Sequence, residues 1–247
     1  MRPEELVYSL TYGGEPAGRQ IIQSFLEGGR LVVRITAEFR GPLTQGREVR
    51  KVQTSYLDPR TNLPVRYTET LEVERSRRES QEYVFDRREG LLRQAVGRHR
   101  HTSPLVEDLY DPAATLHFLR SGLVPERIYY LWQLAGPVGV KVEKAVEVEG
   151  PWGKLLAYPM LITPGPEMVW IEADSDHRPL RFLRRIQVRL LEGVLQHTGR
   201  AVQRPRPEEP SPQRRRHRSP HPRPHRPRPS AGERAKTQLH VPQKEKE

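Results

Sequence analysis

Only one stretch of this chain, residues 111–122, carries both the start and the stop signals of a helix, and nearly everything on either side alternates with the period of two that marks β-strands. Asp111 is a good N-cap acceptor, and Pro112 sits at the first helical position, where its missing amide costs nothing. Gly122 suits a left-handed C-terminal cap. Between these ends Pro112, Leu116, Leu119 and Leu123, with Phe118 beside them, make one apolar stripe about three turns long. A helix of that length is marginal alone and needs a sheet to lie on.

The alternation is clearest at Leu31, Val33, Ile35, Ala37 and Phe39, with Arg34, Thr36, Glu38 and Arg40 on the opposite face. Similar half-buried patterns fall at Leu6, Tyr8, Leu10 and Tyr12, and at Val65, Tyr67, Leu71 and Val73. Others fall at Tyr83 and Phe85, at Ile128, Tyr130, Trp132 and Leu134, and at Val138, Val140 and Val142. Phe182, Ile186, Val188 and Leu190 read as one last long strand, with Arg181, Arg185 and Arg189 on its wet face. One dry and one wet face favour antiparallel over parallel pairing. Turn chemistry at Gly13-Gly14, Gly28-Gly29, Asp58 to Asn62, Gly136-Pro137, Gly150-Pro151, Pro164-Gly165-Pro166 and Asp174-Ser175-Asp176 makes neighbours in sequence neighbours in space. The fold class expected is mainly β: a strongly curved antiparallel sheet, barrel or half-barrel, of about 10–12 strands, with the helix on its concave side.

Composition changes near residue 200. Residues 201–247 hold ten of the 24 prolines, thirteen Lys or Arg against five Glu, four histidines and no aromatic residue. Their charge is +8, leaving +3 for residues 1–200. Such a segment lacks the apolar surface to offset its ordering entropy. The expected organisation is therefore one β domain, 1–200, and a disordered Pro/Arg/His-rich tail, 201–247. A domain of that size buries roughly 70% of its unfolded surface and needs no staples, in keeping with the absence of cysteine, which excludes disulfides and thiolate metal sites. A single Asn, an excess of Glu over Asp and an excess of Arg over Lys suggest a heat-adapted bacterium with a GC-rich genome. No run approaches a membrane span, and Met1-Arg-Pro-Glu-Glu has no apolar stretch behind it. As written, the chain is expected to be soluble and cytoplasmic; a leader upstream of Met1 would move it to the cell envelope or periplasm.

The order of these motifs resembles the bacterial domain-of-unknown-function family 3108. The resemblance spans roughly residues 5–196. It rests on Tyr12-Gly13-Gly14-Glu15-Pro16-Ala17-Gly18, the hairpin Leu57-Asp58-Pro59-Arg60-Thr61-Asn62-Leu63-Pro64, Phe85-Asp86, the helix from Asp111 to Arg120, Gly153, and the final hairpin from Trp170 to Asp174 with Pro179. The resemblance implies a curved antiparallel sheet around one helix, exported relatives, and no established activity or catalytic residue. The absent signal peptide and the basic tail depart from that pattern.

Candidate sites are few, and none is a catalytic signature. Gly13 to Arg19 lacks the Lys-Ser/Thr ending of a phosphate loop, and neither a Gly-x-Ser-x-Gly elbow nor a His-Glu-x-x-His helix occurs. No motif calls for a cofactor. His99 and His101 share one face but lack a third ligand, so a polar loop is the plainer reading and no metal site is assigned. Glu172, Asp174, Asp176 and His177 suit an acid–base pair or, more simply, a tight turn. Tyr129, Tyr130, Trp132, Trp152, Tyr158 and Trp170 are candidates for lining an apolar ligand pocket inside the curl, with core packing as the alternative. In the tail, Arg204, Arg206, Arg214, Arg215, Arg216, Arg218, Arg223, Arg226 and Arg228 are candidates for phosphates of nucleic acid or anionic lipid. With no aromatic residue to stack on bases, such binding is sequence-blind.

Three functional classes remain. The first is a non-enzymatic binding or scaffold protein holding an apolar small molecule or a protein segment. The second docks a polyanion through the basic tail, and the third is a hydrolase using the carboxylates near residues 172–177.

Overall fold

The computed structural model describes residues 3–74, 77–165, 167–174 and 176–201. Beyond Ala201, which packs against Phe25 and Val32, the expected tail lies outside the described residues, and with it every arginine assigned to polyanion binding. The first half of the chain forms β1 (Glu4–Tyr12), β2 (Glu15–Glu27), β3 (Arg30–Phe39), β4 (Val49–Leu57), β5 (Pro64–Val73), β6 (Arg77–Asp86), β7 (Leu91–Val96), β8 (His99–Pro104) and β9 (Leu109–Tyr110). The helix α1 (Pro112–Ser121) follows. Then come β10 (Ile128–Gln133), β11 (Gly136–Val142), β12 (Val146–Gly150), β13 (Gly153–Thr163), β14 (Glu167–Glu172), β15 (Pro179–Ile186) and β16 (Arg189–Gly199).

Among the described residues, all sixteen strands belong to one curved sheet that does not close on itself. Its path runs β8, β7, β6, β5, β4, β3, β2, β1, β16, β15, β14, β13, β11, β10, β9, and β12 pairs with the early part of β13. Every pairing is antiparallel except the short one between β9 and β10. Local turns drive this order. Gly28 and Gly29 take φ of +56° and +74° between the paired Glu27 and Arg30, the two positive values that a tight hairpin matching strand twist requires. Gly18 sits at a register shift of β2, where an added Cβ would lie 1.9 Å from the Glu38 carbonyl oxygen, so only glycine fits.

Part of the excess over the 10–12 strands expected comes from two segments that read differently once paired. His99 to His101, for which a polar loop is the plainer reading of the sequence, begin the edge strand β8. The expected single strand through Phe182 and Leu190 is a hairpin: Ile186 pairs with Arg189, and Gln187 turns with φ of +54°. Neither Gly, Asn nor Asp marks that turn, which is why the sequence hides it.

The helix lies in the curl as expected, but more deeply than one stripe implies. Ala113, Ala114, Thr115, His117 and Leu119 are all buried. Ala113 and Ala114 pack with Leu31, Val33 and Leu57, and Leu119 joins Val140, Val142, Met160, Val169 and Ile171. Leu116 reaches a third cluster built on Leu6, Tyr8, Ile22, Leu180 and Leu195. A helix inside a cup is buried on several sides, so small residues serve where strands come close. Gly122 closes the helix with φ of −120°, not in the left-handed form expected, and its amide donates to the Phe118 carbonyl at 2.9 Å. Truncating Leu119, which is 2% exposed, is expected to destabilise the domain by about 2–5 kcal/mol. A urea titration of Leu119→Ala, read by circular dichroism, checks this.

Candidate functional site

The helix is fixed to both arms of the open sheet by side chains at its first turn. Asp111 is fully buried, and its Oδ1 accepts hydrogen bonds from the amides of Ala113 and Ala114, both at 2.9 Å. Its Oδ2 accepts from the Ser55 hydroxyl of β4 at 2.6 Å. Thr115 donates to the Asp111 carbonyl and accepts from Gln133 Nε2 of β10 at 3.0 Å. From Ser55 a polar row continues over β4 and β5: Gln53 donates to the Tyr67 hydroxyl, and Tyr67 donates to Glu69, each at 2.7 Å. Burial, then Glu69, pushes the Tyr67 phenol well up.

The outer side of the sheet differs between its halves. On β2 to β6 it is a charge ladder, with Arg19, Glu38, Arg50, Glu72 and Arg78 directly opposite one another in turn. Arg19 meets Glu38 at 2.7 Å, and Arg50 reaches Glu72 at 3.5 Å. These residues border an open recess of about 740 Å³. On β10 the outward residues are Ile128, Tyr130 and Trp132, exposed by 50%, 84% and 50%.

The β10 edge is also partly bare. It pairs with β9 only at Trp132 and Gln133, so among the described residues no strand lies against residues 128–131 on that side. Leu134 donates its amide to the Tyr110 carbonyl at 3.0 Å. Residues two apart on a strand turn their main-chain groups the same way, so Tyr130 and Ile128 present N–H and C=O to the open edge.

The six aromatic residues expected to line an interior pocket do not come together. Tyr129 and Tyr158 pack inward around Leu119, and Trp152 and Trp170 lie against the Leu6 and Tyr8 cluster. Arg181 stacks over Trp170 at 5.2 Å. Tyr130 and Trp132 face outward, because successive residues of a strand point to opposite faces. The expectation that Ile128, Tyr130 and Trp132 form a dry inner face thus has the wrong phase; Tyr129 and Leu131 are the inward pair. The residues that sequence reasoning missed are Leu161 and Gly139, which join this outer face. The available signal was the unbroken run Ile128-Tyr129-Tyr130-Leu131-Trp132, apolar on both faces.

Glu172 is buried and paired with Arg178, whose Nη2 donates to Oε1 at 2.7 Å. Asp174 accepts from the Asp176 amide at 2.9 Å, and His177 Nδ1 lies 2.8 Å from the Arg120 carbonyl. These groups are thereby engaged in a turn. His99 and His101 are exposed on β8, and no group of three metal-ligating side chains occurs among the described residues.

No family model matches the chain, and no curated protein matches it. Among solved structures it is similar to a beta-barrel-like protein of domain of unknown function DUF1849 from Brucella abortus, with a TM-score of 0.58 and 12% identity over 82% of this chain and 99% of that one. The domain is β-barrel-like. At that identity the likeness is one of fold alone. It supports a β-rich domain of unknown function, not family 3108 in particular. Among the described residues, no helix is long and apolar enough to cross a membrane.

Two groups on the helix titrate in opposite senses. Burial pushes the Asp111 carboxyl up to about 6 against the pull of Ser55 and the Ala114 and Ala113 amides. Burial, then Arg120, pushes the His117 imidazole down to about 4. The folded chain holds Asp111's proton above the ordinary value of 3.8, so this group's stabilisation falls as pH rises through about 6. His117 stays neutral in the fold below its ordinary 6.5, so its contribution falls as pH drops towards about 4. The two slopes oppose each other between these limits. Asp111→Asn, which keeps an acceptor for the cap, is expected to unmask the His117 slope. Its stability should rise by about 3 kcal/mol between pH 4 and 6.5, against a nearly level wild type, as read from urea midpoints.

Proposed function

We propose that the protein is a non-enzymatic binding protein that takes up an extended segment of a partner along the open edge of β10. The observation that carries this reading is the bare edge at residues 128–131, with the main-chain groups of Ile128 and Tyr130 turned outward. An exposed strand edge pairs with an added strand through main-chain hydrogen bonds, while side-chain pockets select the sequence. Edges that avoid this are blunted by charge or proline. The far edge, β8, is blunted in that way by His99, Arg100, His101 and Pro104. Residues 128–132 hold no charge and no proline. The concave side is occupied by α1 and its three clusters, which favours a partner segment over an apolar small molecule held inside.

Selection of random extended peptides on the immobilised protein tests this reading. Peptides with alternating apolar residues are expected. Ile128→Pro removes an edge donor while leaving the face towards β11 paired, and it should weaken their binding about tenfold with an unchanged circular dichroism spectrum. Selected peptides that bind this variant as well as wild type, or a failure to select any, would refute strand addition at this edge. Docking of a polyanion is the second reading. It rests on the sequence of the tail and predicts binding to DNA or anionic vesicles that falls steeply with salt and disappears on deletion of residues 201–247.

A further inference from the structure

The outer face from β10 to β15 carries more apolar side chains than the other half of the sheet, with Lys141 in its middle and Arg181 and Arg185 at its β15 end. Register places Ile128, Lys141, Leu161, Met168 and Leu183 directly opposite one another in turn, with Tyr130, Gly139 and Thr163 forming a second row. The inner side of these strands is already buried around Leu119 and Leu180. Strands apolar on both faces belong to sheets covered on both.

The face also contains its own complement. A hollow of about 530 Å³ opens beside Gly139, walled by Tyr130, Trp132, Pro137, Thr163 and Pro164, while the space directly over Gly139 is taken by the Thr163 hydroxyl, 2.9 Å from where a Cβ would stand. Tyr130 stands beside the hollow, 84% exposed. A knob next to a hole on one patch fits a second copy of the same patch across a two-fold axis. The bordering charges agree. Lys141 pairs with Glu143 at 2.7 Å, Lys144 with Glu126 at 3.6 Å and Arg181 with Glu192 at 2.6 Å. Two such faces meet without net repulsion, and these paired cations offer little to an anionic bilayer. The five strands that carry the face, β10, β11, β13, β14 and β15, span roughly 20 Å at ordinary strand spacing, a width in keeping with a contact of standard size.

We propose that this face joins two copies of the chain, with Tyr130 of each seated in the hollow between Trp132, Pro137 and Pro164 of the other. The inference rests on the outer side chains and not on the edge used for strand addition. Thr163→Arg lies two strands away from the open β10 edge, so peptide binding persists in that variant while the dimer is lost, and the two readings fail separately.

Sedimentation of the full chain from 1 to 100 µM, at about physiological salt, is expected to show a species of twice the 28.7 kDa chain mass. Tyr130→Asp should weaken association about 30-fold or more, as loss of a buried aromatic anchor does, with an unchanged circular dichroism spectrum. Thr163→Arg, which fills the hollow, should do the same. The chain has no cysteine, so Tyr130→Cys combined with Thr163→Cys gives a clean second readout. Within one chain these positions are two strand spacings apart, roughly 10 Å, too far for a disulfide. Mild oxidation should therefore link two chains. A monomer at 100 µM, or a dimer indifferent to both Tyr130→Asp and Thr163→Arg, would overturn the proposal. So would a monomer that floats with phosphatidylcholine–phosphatidylglycerol vesicles in a Tyr130-dependent way, which would assign the face to lipid.

Discussion

The Asp111 carboxylate is the point on which the fold turns. An open sheet of this length has no closing ladder to hold its curvature, and the helix inside must serve that purpose. Asp111 ends the disorder of the helix start by accepting two amides, and its remaining oxygen takes the hydroxyl of Ser55 on β4. One turn later Thr115 accepts from Gln133 on β10. The helix thus bridges strands from the two arms of the path, and its apolar residues fill the space between them. The short distance to Ser55 fits a charge-assisted bond in a dry setting, and the same dryness raises the group's proton affinity.

Two chemically different outer surfaces follow from one continuous sheet. Across β2 to β6, oppositely charged residues face each other from strand to strand, which keeps that half wet and specifies its register. Across β10 to β15 the corresponding side is built from Ile128, Tyr130, Trp132, Leu161, Met168 and Leu183. The bare stretch of β10 edge lies in this second half. Edge and face together are the features on which the proposed contacts with other chains rest, whereas the charged half presents paired ions to water.

Much of the architecture was legible in the chain. The helix is announced by Asp111 and Pro112 because capping is a local interaction, and the hairpin at Gly28-Gly29 because few residues adopt its backbone angles. The hairpin at Gln187-Val188 was hidden because neither residue is a turn former, and β8 because a polar edge strand looks like a loop until its partner is found. The candidate site was misread for a different reason. Aromatic residues in the second half were visible as a group, but a strand that is apolar on both faces gives no clue to which parity points inward. Sequence therefore groups Tyr130 and Trp132 with Tyr129 as candidates for lining the inside of the curl, and the outward hollow beside Gly139 has no signal in sequence at all, since it exists only where three strands lie side by side.

The sequence by itself determined the class of fold, the single capped helix and the antiparallel order, because each depends on residues adjacent in the chain or on a simple period. Tertiary structure alone decided the phase of β10, the depth of the helix in the curl and the failure of the sheet to close. Those features depend on which distant segments meet, as Asp111 meets Ser55 and β9 stops two residues along β10, and no local pattern encodes the position of a partner that far away.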